Sequence, residues 1–130
     1  MFTKEQIEAA HDKVKDGSDF PAYVKEIKAL GVKSHEVVLT DGTWIFKGEG
    51  SYTVEFKRGL ESIAVSTQAS PERFKHILSN HQQGNTDYPT FCIQAGEAGV
   101  ERWISDFENM IVTYIDKAGN PIAVEPIPYI

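Results

Sequence analysis

Cysteine, basic charge and long apolar runs are all scarce in this chain, and each scarcity closes a class of function. Cys92 is the only cysteine, so no intrachain disulfide can form and a reducing compartment is the expected setting. Lys and Arg number 13 against 19 Asp and Glu, for a net charge of −6. The basic residues are scattered, whereas a nucleic-acid binder needs a clustered Lys/Arg face to neutralise phosphate. No apolar run approaches the roughly 20 residues that span a bilayer. The opening MFTKEQIEAAHDKVK has no apolar segment before a cleavage site, so a signal peptide is not expected. These absences lead to an expected cytoplasmic protein with neither nucleic acid nor membrane as partner.

Cofactor signatures are missing as well. Gly48-Glu49-Gly50 reads as a turn whose glutamate would repel phosphate, and no serine sits in a nucleophile-elbow pattern. The spacing of His11, His35, His76 and His81 fits no metal motif. Neither a metal nor another cofactor is expected.

What the chain does contain is a repeat. Residues 18–32 read SDFPAYVKEIKALGV and residues 86–100 read TDYPTFCIQAGEAGV. Aligned without a gap, Asp19/Asp87, Pro21/Pro89, Gly31/Gly99 and Val32/Val100 are identical. Phe20/Tyr88 and Tyr23/Phe91 are close substitutions. One folding unit used twice is the expectation, and 130 residues with 41% hydrophobic content suit a single domain built from both copies.

Local signals fill in each copy. Thr3 with Gln6 forms a capping-box pattern, flanked by Phe2 and Ile7 as a staple. The helix it starts carries Ile7, Ala10, His11 and Val14 on one face, with Gly17 at its end. Asp19 is the expected cap of a second helix presenting Phe20, Tyr23, Val24, Ile27 and Leu30, closed by Gly31. Asp41-Gly42 signals a two-residue hairpin, which would set Leu39 opposite Trp44 and Val37 opposite Phe46. Tyr52, Val54 and Phe56 alternate with polar residues as a half-buried strand. Residues 58–69 read as a connector, with Ile63–Val65 a short extended piece. Ser70-Pro71 then opens a third helix with Phe74, Ile77, Leu78 and His81 on its stripe. Asp87 caps a fourth helix bearing Tyr88, Phe91, Cys92 and Ala95. A shift of 68 residues carries Leu39, Trp44, Phe46 and Val54 onto Phe107, Val112, Tyr114 and Ile122. Asp116–Asn120 supplies the matching hairpin loop. The expected fold is α+β: two pseudo-repeated helix-helix-three-strand units, antiparallel sheet, helices on one face. The halves run 1–57 and 70–125.

The run HQQGNTDYPTFC, the GVERW that follows, DKAGN near the C-terminus and the opening MFTKEQI together resemble bacterial domain-of-unknown-function family 1398. Some members of that family are labelled phage envelope proteins. The resemblance covers nearly the whole chain and implies no assigned activity, so it transfers no catalytic residue.

Polar, aromatic and thiol groups crowd most densely between His81 and Cys92. Cys92 with His81 as base and Asp87 as orienting group would make a nucleophile set, if the thiol is held as thiolate. Against this, Cys92 aligns with Val24, which points to packing. Asp87 reads equally as a helix cap. His11 and His81 end equivalent helices, and with Tyr88 they could line a cleft between the halves. The candidate ligand-binding residues are therefore His11, His81, Asp87, Tyr88 and Cys92. The expected function is a non-enzymatic binding or interaction module for an unidentified protein or small molecule, with a second copy of the chain among the candidate partners. The alternative is a thiol-dependent enzyme or redox sensor.

Overall fold

The computed structural model describes residues 2–15, 17–58 and 63–128; the middle of the expected connector, 59–62, lies outside the described residues. Two helices and three strands are followed by two helices and three strands. These are α1 Lys4–His11, α2 Phe20–Ala29, β1 Ser34–Val38, β2 Thr43–Lys47 and β3 Thr53–Lys57, then α3 Pro71–Gln82, α4 Tyr88–Glu97, β4 Arg102–Asp106, β5 Ile111–Ile115 and β6 Pro121–Pro126. Adding 68 to the bounds of α2, β1 and β2 gives those of α4, β4 and β5.

Capping chemistry sets most helix starts. The Thr3 hydroxyl accepts from the Gln6 backbone at 3.2 Å, and the Gln6 side chain accepts from the Thr3 backbone at 2.9 Å. Ser70 caps α3 through Arg73 N–H, and Asp87 caps α4 through Thr90 N–H at 2.9 Å. The expected cap at Asp19 does not form. A 3-10 turn, Gly17–Asp19, runs directly into α2 and leaves Asp19 in helical backbone, at ψ −5° where Asp87 has 172°. A cap needs extended backbone to aim its oxygen at the first turn, so Asp19 instead accepts from Lys15 N–H at 2.8 Å. Helix α1 also stops earlier than Gly17, with Asp12 as its C-cap. Helix ends match better. Val32 N–H returns to Ile27 O and Val100 N–H to Ala95 O, across Gly31 at φ +104° and Gly99 at φ +95°.

All six strands form one antiparallel sheet in the order β3-β2-β1-β4-β5-β6. The seam is β1 against β4, where Ser34 pairs with Asp106 and Val38 with Arg102. Moving Ser34 forward by 68 gives Arg102, and moving Asp106 back by 68 gives Val38. The pairing therefore maps onto itself, as a pseudo-twofold requires. Register in the first hairpin differs from expectation by two residues: Val37 pairs with Trp44 and His35 with Phe46. Leu39 is drawn off because its N–H donates to Glu101 O, leaving a four-residue turn with Gly42 at φ +75°. A shift of two preserves the faces, so the apolar inner surface survives the correction.

That inner face carries His35, Val37, Trp44, Phe46, Trp103, Ser105, Val112 and Tyr114, all buried. The helices lay Ile7, Tyr23, Val24, Ile27, Phe74, Leu78 and Phe91 against it in one continuous core. Each large apolar side chain so buried stabilises the fold by about 1.5–3 kcal/mol. The outer face holds the Arg102–Glu36 ion pair at 3.1 Å. Ile63–Val65 forms no strand. The connector is instead tied down singly, by Ile63 N–H to Leu39 O and Ser66 N–H to Gly96 O. Among the described residues no helix is long and apolar enough to cross a membrane.

Candidate functional site

Where the two halves meet between helices and sheet, the core does not close. A cavity of about 430 Å³ remains, within the range of small-molecule sites. Equivalent positions from both halves wall it: Phe20 and Tyr88, Tyr23 and Phe91, His35 and Trp103, Trp44 and Val112. The pattern follows from the fold, because each second helix and each first strand present their inner faces towards the seam. The equivalents differ in chemistry. Tyr23 and His35 of the first half stand opposite Phe91 and Trp103 of the second, whereas Tyr88 of the second half stands opposite Phe20 of the first.

Rings dominate the lining. His11 meets Trp44, Tyr23 and Tyr88 edge-on at centroid distances of 4.7, 5.4 and 5.6 Å. His35 stacks on Phe46 at 4.0 Å and turns an edge to Trp44. His81 stacks on Phe91 at 4.3 Å, with Nδ1 3.0 Å from the Thr86 carbonyl; a carbonyl only accepts, so Nδ1 carries the proton. At the edge, Arg58 pairs with Glu8 and Asp12 and lies 3.5 Å from His11 Nδ1. Glu125 also lines the cavity, accepting from the Gln82 amide at 3.1 Å.

Among the described residues, the Tyr23 hydroxyl and His35 Nε2 belong to residues that line the cavity, but the two atoms are shut off from its accessible space and have no hydrogen-bond partner. Their residues are 5% and 4% exposed. Trp44 Nε1 makes no bond of good geometry either, although it faces the Tyr88 hydroxyl.

Burial governs the electrostatics. It lowers the His35 pKa to about 3, aided by the neighbouring His11. It lowers that of His11 to about 4, aided by the Arg58 guanidinium and opposed by Asp12. Both imidazoles are neutral at pH 7. Burial also raises the Tyr23, Tyr88 and Tyr114 phenols, so all three stay protonated.

Of the five residues singled out from sequence, His11, His81 and Tyr88 line the cavity. Asp87 is an exposed helix cap outside it, its carboxyl held below the usual range by the bond from Thr90. Cys92 is 1% exposed and absent from the wall. Burial pushes its thiol up to about 12, and the group at its side is the Tyr88 hydroxyl rather than His81. The nucleophile set is therefore not assembled. Sequence reasoning placed Tyr23 and Trp44 on apolar core faces, considered His35 only as a metal ligand, and did not single out Glu125. His35 carried a usable signal, a titratable residue at an inner-face position of a strand. Among the described residues no group of three His, Cys, Asp or Glu side chains could hold a metal.

No curated protein matches the chain. Residues 8–126 match a family described as protein of unknown function, DUF1398, and the chain belongs to that family.

Proposed function

We propose that this protein is a non-enzymatic binding module that holds a small organic molecule in the cavity between its halves. One observation carries the reading: a cavity of about 430 Å³, walled by side chains of both halves, remains between helices and sheet where the core would otherwise close. A concave, ring-lined space of that size is what small-molecule sites offer. A reaction is less well supported, because the thiol is buried and protonated and His11 and His35 sit far from the neutral-range pKa that acid–base catalysis favours. On this reading the halves descend from one duplicated unit and the site arose where the copies joined. A cytoplasmic setting belongs to the same proposal, resting on a chain with one cysteine.

The test is a metabolite screen by thermal shift, followed by mapping of hits by NMR. A saturable rise in melting temperature, with shifts confined to cavity residues such as Val37, Leu78 and Val112, is the expected result. Hits that map to the outer sheet face, or a broad library without any hit, would overturn it.

A further inference from the structure

We propose that the cavity takes an amphipathic amine, its apolar body on the buried floor between the halves and its ammonium end at the mouth beside Glu125. The proposal rests on the reading of the cavity as a ligand site and adds the class of ligand.

Burial grades the wall from mouth to floor. Ser18, Gln82 and Pro126 are exposed, with Glu125 and His81 half-buried beside them, whereas Val37, Trp44, Trp103 and Val112 are buried. The mouth residues sit together, because Gln82 bonds to Glu125 from α3 to β6 and the 3-10 turn carrying Ser18 packs on α3. The floor presents carbon. The Tyr23 hydroxyl, His35 Nε2 and Trp44 Nε1 are shut off from the accessible space, so a guest meets ring and methyl surface there. A polar group set on it would lose its water with nothing in exchange. An apolar body gains in proportion to the area it removes from water.

Polar atoms that a guest can reach gather at the mouth. Glu125 accepts from the Gln82 amide at 3.1 Å through Oε1 alone, and a carboxylate accepts through both oxygens. An ammonium brings three donors and no acceptor, so it suits a carboxylate whose first neighbour is already a donor. At the mouth it keeps much of its water and escapes the cost of a buried charge.

The charges around the cavity favour the same sign of ligand. Among the described residues no lysine or arginine lines it. Arg58 stands at the edge near His11, paired with both Glu8 and Asp12, so negative charge exceeds positive there. His11 and His35 are neutral at pH 7. His81 lies on the wall, stacked on Phe91 with its Nδ1–H given to the Thr86 carbonyl. A proton on its second ring nitrogen would do no more than balance Glu125, so these groups together are negative in either state of His81. A carboxylate or phosphate on the ligand meets a field of its own sign.

The experiment compares four small probes on the whole protein, read by methyl NMR of Val37, Leu78 and Val112. Naphthylethylamine carries the proposed end; naphthylethanol and naphthaleneacetate replace it with a neutral and an anionic one; propylamine keeps the end without the body. Naphthylethylamine should shift the three methyl signals saturably. It should bind tighter than the alcohol by about two- to fivefold, the range of one exposed ion pair, and tighter than the acetate by on the order of tenfold. Propylamine should leave the methyls unmoved. The Gln82 side-chain amide signal, which reports on Glu125, should move further with the amine than with the alcohol. Glu125→Gln should bring amine and alcohol to equal affinity, with unchanged alcohol binding as the sign that the cavity is intact. Should that variant fail to fold, the Gln82 signal of the native protein decides the residue. An acetate that binds as tightly as the amine, propylamine that binds as well as the naphthyl amine, or an amine preference that survives Glu125→Gln would overturn the ligand class while leaving a cavity that binds. Methyl signals unmoved by all four probes would overturn the class as well. The metabolite screen then decides separately whether the cavity binds anything.

Discussion

Wedged between the rings of Trp44 and Phe46, His35 stays neutral down to about pH 3 in the folded chain, whereas an unfolded histidine protonates near 6.5. His11 follows the same course with a folded value of about 4. Between those limits the unfolded chain binds more protons than the folded one, so stability falls as pH drops. The contribution is complete above about 6.5 and is lost progressively towards 3–4. Urea midpoints measured at pH 7, 5.5 and 4.5 should decline, and His35→Leu should flatten the decline. Asp87 and Asp106, with pKa values below 3.8, add little across that interval. The thiol gives a second check at this scale. Cys92 in the native protein should react with a thiol reagent only at the unfolding rate, and Cys92→Val should cost less than about 1.5 kcal/mol. Alignment of Cys92 with Val24 in the sequence already pointed to packing. That the Tyr23 hydroxyl and His35 Nε2 lack partners among the described residues was not readable there, since nothing in a sequence tells whether a buried polar atom finds one.

Local chemistry decided the elements wherever one residue acts on its own backbone. The Thr3–Gln6 box, the Ser70-Pro71 start and the closing glycines were legible because each is complete within a few residues. Thr3→Ala should cost about 1 kcal/mol in denaturant unfolding. Asp19 was misread because the 3-10 turn it belongs to holds its backbone helical, and the first hairpin because a remote partner, Glu101 of the other half, intervenes. The paired glycines separate the two influences. Gly31 and Gly99 share a left-handed backbone, but an added Cβ at Gly31 meets nothing within 4 Å, whereas at Gly99 it would lie 2.6 Å from the Ala69 Cα. Gly31→Ala should therefore cost about 1–2 kcal/mol for the backbone alone. Gly99→Ala should exceed it by roughly a further 1–3 kcal/mol, because the connector must move. Equal costs by chemical denaturation would mean that the connector yields freely.

For the whole molecule, the seam between β1 and β4 joins two three-stranded pieces that each present one open apolar face. Separating the halves would open the β1 and β4 edges, remove Tyr88 from His11 and Trp44, and leave each piece with a three-stranded sheet and two helices. A fragment of residues 1–68 should give collapsed, poorly dispersed NMR spectra, and adding residues 69–130 should restore native dispersion. A folded isolated half would count against the shared core. The repeat made this architecture readable from the chain, down to the offset of 68, because tandem copies of an element with one greasy side have few ways to hide it. A cleft between the halves bordered by His11, His81 and Tyr88 was expected, but its volume and the rest of its wall were beyond that reasoning, because volume is not written in any single segment. One consequence follows from who borders it. The protein's only two tryptophans, Trp44 and Trp103, both face that space, one from each copy. Ultraviolet emission from the untouched chain is thus a built-in optical reporter, and any guest should announce itself by changing the glow of both indoles.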